Sequence, residues 1–143
     1  MFKINPYLIF NGETEKAFNF YKKVFGGEFQ SLMRFKDVPM KDQEMGHFDK
    51  NEGEKIINVG LAVGETGLMG SDAPKSMPSK MGENVFLALE VDSKEQADKI
   101  FMGLSEGGKV NMGLADTFWG AYYGMLRDKF GIGWMVSYTY PKK

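Results

Sequence analysis

The chain has 143 residues, a length that suits one compact domain over 1–143, and 43% of them are apolar, an ordinary share for a globular protein. With 18 basic and 19 acidic residues the net charge is -1, so there is no long-range positive field to draw in nucleic acid or an anionic membrane. Cysteine is absent, which excludes disulfides, thiolate catalysis and thiolate metal ligation.

The opening residues lack the apolar stretch of a signal peptide, and no apolar run nears the roughly 20 residues of a membrane span. These features predict a soluble cytoplasmic protein with no nucleic-acid or membrane partner. Met (11) and Phe (12) are abundant; most are expected in the core, and a few in a soft apolar cleft or dimer seam.

Residues 7–10 form a short apolar run after Pro6, as in a buried strand, and Asn11-Gly12 turns the chain. Positions 17, 20, 21 and 24, widened by Phe18 and Phe25, fall on one face at helical spacing, which predicts a helix over 13–25 that stops at Gly26-Gly27. Residues 28–35 read as a strand. Residues 37–54 are charged and contain Pro39, Gly46 and Gly53; they read as a solvated loop, or as a flap over a cleft. A strand over 56–63, a hairpin turn at 64–67 and a further strand to Asp72 follow, and a linker over about 73–82 closes the first half.

The second half repeats the first. Residues 84–91 read as a strand, and Ser93-Lys94-Glu95-Gln96 has the form of a capping box ahead of a helix that ends at Gly107-Gly108. Val110, Met112 and Leu114 alternate as in a half-buried strand, and 118–126 and 132–138 supply two more around a turn at Asp128–Gly131. Each half thus reads β-α-β-β-β: module one over about 1–72 and module two over about 83–143. Neither can hide its apolar faces alone, so an α+β fold is expected in which the two modules share a cleft.

The matching stretches are Tyr7-Leu8-x-Phe10-Asn11-Gly12, Ala17-Phe18-x-Phe20-Tyr21, Val24-Phe25-Gly26-Gly27, Met69-Gly70-Ser71-Asp72-Ala73-Pro74, Gly107-Gly108-Lys109-Val110, Thr117-Phe118-Trp119-Gly120, Gly124-Met125 and Asp128-x-Phe130-Gly131-x-x-Trp134-Met135-Val136. In their order, spacing and repeat they resemble the vicinal oxygen chelate superfamily (glyoxalase, bleomycin-resistance and dioxygenase relatives), and more narrowly its PhnB-like branch. The resemblance implies two β-α-β-β-β modules forming an incomplete curved barrel, assembled as a homodimer. Superfamily enzymes hold a divalent metal through His, Glu or Gln on facing strands. The corresponding places here fall near Pro6, near Asn84 or Phe86, and near Met135, and the third-strand pair of the branch falls on Asn58 and Gly60. No metal and no cofactor is therefore expected.

Two functions follow as expectations. The first is a small-molecule-binding protein whose cleft is lined by Asn58, Met69, Phe86, Met112, Trp119, Tyr123 and Met135. Its ligand is an apolar or aromatic compound. The second is an enzyme of lyase, isomerase or dioxygenase type with an atypical or metal-free site, for which His47, Glu90, Asn58 and Asp72 are the candidates. His47 is the only histidine. Ser71 has no base placed beside it by the sequence. The glycines of 60–70 have strand on both sides and read as a hairpin, not as a loop cradling a nucleotide or methyl donor.

Overall fold

A computed structural model describes residues 1–39 and 50–142, and these divide into two units, Met1–Lys80 and Met81–Lys143. In the first unit the order is β1 (Tyr7–Phe10), α1 (Thr14–Phe25), β2 (Phe29–Arg34), β3 (Ile56–Val63) and β4 (Thr66–Asp72), with single 3-10 turns at Phe35–Asp37 and Lys50–Glu52. Its four-stranded sheet runs β1-β4-β3-β2, with β1 parallel to β4 and the other pairs antiparallel. The second unit repeats the plan with β5 (Phe86–Glu90), α2 (Lys94–Ser105), β6 (Lys109–Asp116), β7 (Ala121–Arg127) and β8 (Gly133–Thr139). Its sheet runs β5-β8-β7-β6, again with one parallel pair, β5 with β8. The chain is an α+β protein of two βαβββ modules.

Each helix covers one face of its own sheet. Ala17, Phe18, Phe20 and Tyr21 of α1 are buried against β3 and β4, as the 3.6-residue spacing requires; Val24 and Phe25 are half-buried. Ala97, Ile100, Phe101 and Leu104 do the same for α2. Burying each of the large side chains is worth about 2 kcal/mol. In both units a helix phenylalanine sits where a central strand has glycine. A Cβ on Gly70 would stand 2.7 Å from Phe18 Cε1, and one on Gly124 would stand 2.7 Å from Phe101 Cε2.

The repeated glycine pairs also have paired tasks. Gly26 (φ 76°) and Gly107 (φ 73°) take the positive φ, unfavourable for other residues, that turns the chain away at the end of each helix. Gly27 and Gly108 lie flat against strand carbonyls, of Ala62 and Arg127, where no side chain fits.

Two details depart from the sequence expectation. The strand expected from Phe118 begins at Ala121, because Gly120 (φ 89°) turns the backbone and the Thr117 hydroxyl accepts the Ala121 N–H at 3.2 Å. Phe118 is consequently 98% exposed on the turn. The turn between β3 and β4 is also tighter than expected: Thr66 and Gly67 already pair with Val63 and Ala62. The loop expected over 37–54 falls largely on residues 40–49, outside the described residues.

The two helices are capped by different means. Ser93 caps α2 locally, accepting Gln96 N–H at 3.0 Å, while the Gln96 side chain reaches back to Asp92 N–H at 2.8 Å, one residue beyond a standard capping box. At the start of α1, Glu13 offers no side-chain cap. Asp72, at the end of β4 and buried, supplies it instead: Oδ1 accepts Gly12 N–H (2.9 Å), Thr14 N–H (3.1 Å) and the Thr14 hydroxyl (2.7 Å), and Oδ2 accepts Ile56 N–H (2.9 Å). One carboxylate therefore joins β1's exit, α1, β3 and β4. The Asp72→Ala variant should lose about 3 kcal/mol of stability in urea denaturation, because it strands several buried donors at once.

At the rim of the second unit Tyr122 donates to Asp98 Oδ1 (2.7 Å), Tyr140 donates to Asp116, and the Lys94 ammonium lies 4.6 Å from the Tyr122 ring centre. The hydrogen bond to Asp98 pushes the Tyr122 phenol up to about 12. Because this lies above the ordinary value of about 10, the contact contributes stability below that pH and loses it as the pH climbs toward 12. The hydrogen bond to Asp116 raises the Tyr140 phenol as well, so ultraviolet titration should show these two phenols ionising late, and Asp98→Asn should return Tyr122 toward the ordinary tyrosine range.

Candidate functional site

The helices leave the opposite face of each sheet uncovered, and strand register decides which residues stand there. In the first unit, Leu8, Gly70 and Val59 form the cross-strand row under Phe18. The next row, Tyr7, Met69 and Gly60, therefore faces away from α1. Asn58 and Met33 pair on the same open side, as do Gly60 and Ser31. Tyr7, Ile9 and Met33 are each close to half exposed there (44%, 44% and 46%). Asn58 Oδ1 accepts the Ser31 hydroxyl at 3.0 Å.

In the second unit, Val136 and Gly124 form the row under Phe101, so Met135 and Met125 face the other way. They extend into a row across all four strands: Ala88, Met135, Met125 and Met112. Beside it runs a second row, Glu90, Ser137, Tyr123 and Ala115. Phe86 lies on this face over Gly133, with the Arg127 guanidinium 5.1 Å from its ring centre. Trp119 comes from the Thr117–Gly120 turn, and its ring meets Tyr123 edge to face at 5.6 Å.

Of the seven residues expected to line a cleft, Asn58 and Met69 lie on the open face of the first sheet. Phe86, Met112, Tyr123 and Met135 lie on that of the second, and Trp119 lies beside them on its turn. Sequence reading overlooks Met125, although it stands two residues from Tyr123 and so shares its face. It also overlooks Tyr7, Ile9 and Met33, which lie in runs read as buried strand or core, and Arg127, which donates to the Gly131 carbonyl at 2.8 Å.

The proposed acid–base candidates are held in structural bonds. Glu90 Oε1 accepts Thr139 N–H at 2.9 Å, and Asp72 is the cap of α1. Asp128 accepts Phe130 N–H, Ile132 N–H and the buried Trp134 Nε1–H, at 2.8, 3.0 and 2.8 Å. His47 lies outside the described residues. Ser71 faces the open side of β4, with neither histidine nor lysine opposite it in the Ile9 pairing.

A divalent ion of the kind held by glyoxalases does not fit this donor set. Pro6, Gly60 and Met135 offer no oxygen or nitrogen side-chain ligand, and among the described residues no group of three or more His, Cys, Asp or Glu is arranged to hold a metal.

Known proteins agree with this architecture. The Pseudomonas aeruginosa protein PA1353 superposes with a TM-score of 0.86 at 37% identity, covering 97% of this chain and 98% of that one. A Bacillus cereus PhnB protein, named as a putative 3-demethylubiquinone-9 3-methyltransferase, shares the fold at a TM-score of 0.77 and 23% identity, over 96% of this chain and 100% of its own. Protein YjdN of Escherichia coli (strain K12) is 29% identical over 138 residues, 94% of this chain and 93% of its own length. The family model for the Glyoxalase/Bleomycin resistance protein/Dioxygenase superfamily matches residues 3–136, and the chain belongs to that superfamily.

Proposed function

We propose that this protein binds a small apolar or aromatic molecule on the open faces of its sheets, without the metal chelate of its enzymatic relatives. The observation that carries the reading is the row Met112–Met125–Met135, flanked by Phe86, Tyr123 and Trp119, on the side of the second sheet that its helix leaves uncovered. Thioether and aromatic surface of this kind adapts to planar apolar ligands, and few polar handles interrupt it. A sheet that needed only a folded interior would bury this face or dress it with charge.

The alternative, an atypical enzyme, draws no support from the candidates that are described. Asp72 and Glu90 accept backbone N–H groups, and Asn58 accepts a serine hydroxyl. The methyl-donor activity in the name of the Bacillus cereus protein does not transfer either. The glycines from Gly64 to Gly70 lie in and beside a β-hairpin, whereas a phosphate or cofactor cradle needs them at a helix N-terminus. The same reading takes the chain to be a homodimer in solution.

Methyl NMR tests the proposal. Titration with indole or toluene should shift the Met112, Met125 and Met135 Cε resonances together. Tyr123→Ala should weaken binding by about tenfold through loss of its ring face. Uniform or absent methyl shifts would defeat the reading. So would a stoichiometric transition metal in untagged protein that disappears on Asn58→Ala.

A further inference from the structure

The methionine row of the second sheet carries a chemistry besides apolar contact. Met112, Met125 and Met135 stand opposite one another on three neighbouring strands, β6, β7 and β8. Residues paired in this way have Cβ atoms about 5 Å apart. Met125 is the middle member, so the three thioether sulfurs can lean toward one point above it. Methionine suits such convergence, because its side chain is unbranched and flexible. The row is also open to an incoming ion: Met112 is 50% exposed and the other two are half-buried.

The register of β6 is an independent sign. At the start of the strand Lys109 pairs with Arg127 and Val110 with Leu126, a register that would next set Asn111 opposite Met125. The register shifts after Val110, and Met112 pairs with Met125 instead. A second shift before Ala115 ends the alignment. Bulges re-aim side chains and are over-represented beside active sites. The backbone here leaves room for this one: a Cβ on Gly124 would stand 3.0 Å from the Met112 carbonyl oxygen. A strand face that served only to bury apolar area would favour β-branched and aromatic residues over aligned methionines.

The donor set fixes the kind of ion. Thioethers are neutral and soft, and they select copper(I) over hard divalent cations. The flanking rows bring Glu90 on one side and Arg127 and Lys109 on the other, so no net negative charge gathers there to hold a hard ion. We propose that Met112, Met125 and Met135 form a trithioether site for copper(I). The site uses sulfur lone pairs where the apolar-ligand reading uses methyl and ring surface, so it goes beyond that reading and does not depend on it.

Silver(I) is the redox-inert probe. In chloride-free buffer, an equimolar addition of silver nitrate to methyl-labelled protein should move the Met112, Met125 and Met135 Cε signals together and saturate them. Met77 and Met102, which are 61% and 74% exposed but outside the row, should stay in place. Copper(I) kept reduced by ascorbate should move the same signals, and zinc sulfate should not. Met125→Leu conserves volume and should weaken silver binding about a hundredfold by removing the central ligand of a multidentate site. Met102→Leu should leave the affinity within about twofold. Shifts at Met77 and Met102 as large as those in the row mean adventitious silver and overturn the inference. An unchanged silver affinity in Met125→Leu does the same. Met112→Leu makes the same comparison if Met125→Leu does not fold, and the wild-type titration needs no variant. If indole moves the row and silver does not, this inference falls and the apolar-ligand reading stands. If silver moves it and indole does not, the outcome is the reverse.

Discussion

A phenylalanine ring seated against a strand glycine sets the layout of each half. Phe18 over Gly70 and Phe101 over Gly124 bring helix and sheet closer than any Cβ would permit. That contact assigns the faces: once one row of a strand lies under the ring, alternation sends its neighbours to the opposite side. The residues that stand open in the two sheets are therefore a consequence of where two glycines fall. An alanine at either position would push a ring out of a close-packed layer and disturb both faces together.

The distribution of carboxylates follows a similar logic. Asp72 and Asp128 are buried, and their oxygens accept from backbone N–H groups, a threonine hydroxyl and an indole N–H. Glu52, also buried, accepts from the Lys55 ammonium and from Lys75 N–H. Acids that would interest an enzymologist in the sequence are occupied as joints of the fold. What the open faces carry among the described residues is mainly sulfur, aromatic surface, amides and hydroxyls, with Glu90 among them bonded to a backbone N–H.

Much of this is legible in the sequence, for reasons that differ by element. Helical spacing reveals the buried faces of α1 and α2, because burial and a 3.6-residue period are the same fact seen twice. Alternation places Tyr123 and Met135 on a shared face for a similar reason. The Phe118–Gly120 segment misleads, because aromatic residues next to a strand read as strand until the positive φ of Gly120 is known. The pairing of Met112 with Met125 leaves no trace in the sequence, because a register shift after Val110 sets it. Asp72 is recognisable as a capping residue, but the sequence does not reveal that it caps a helix starting 58 residues earlier in the chain.

That separation bears on how the chain comes off the ribosome. The second helix carries its own start signal in Ser93 and Gln96 and can begin to coil while still nascent. The first must wait, its leading turn unanchored, until the strand ending at Asp72 has been synthesised and has found its place. Synthesis from the N-terminus thus presents the less self-sufficient half first, and the earlier helix becomes firm only when its whole module closes around it.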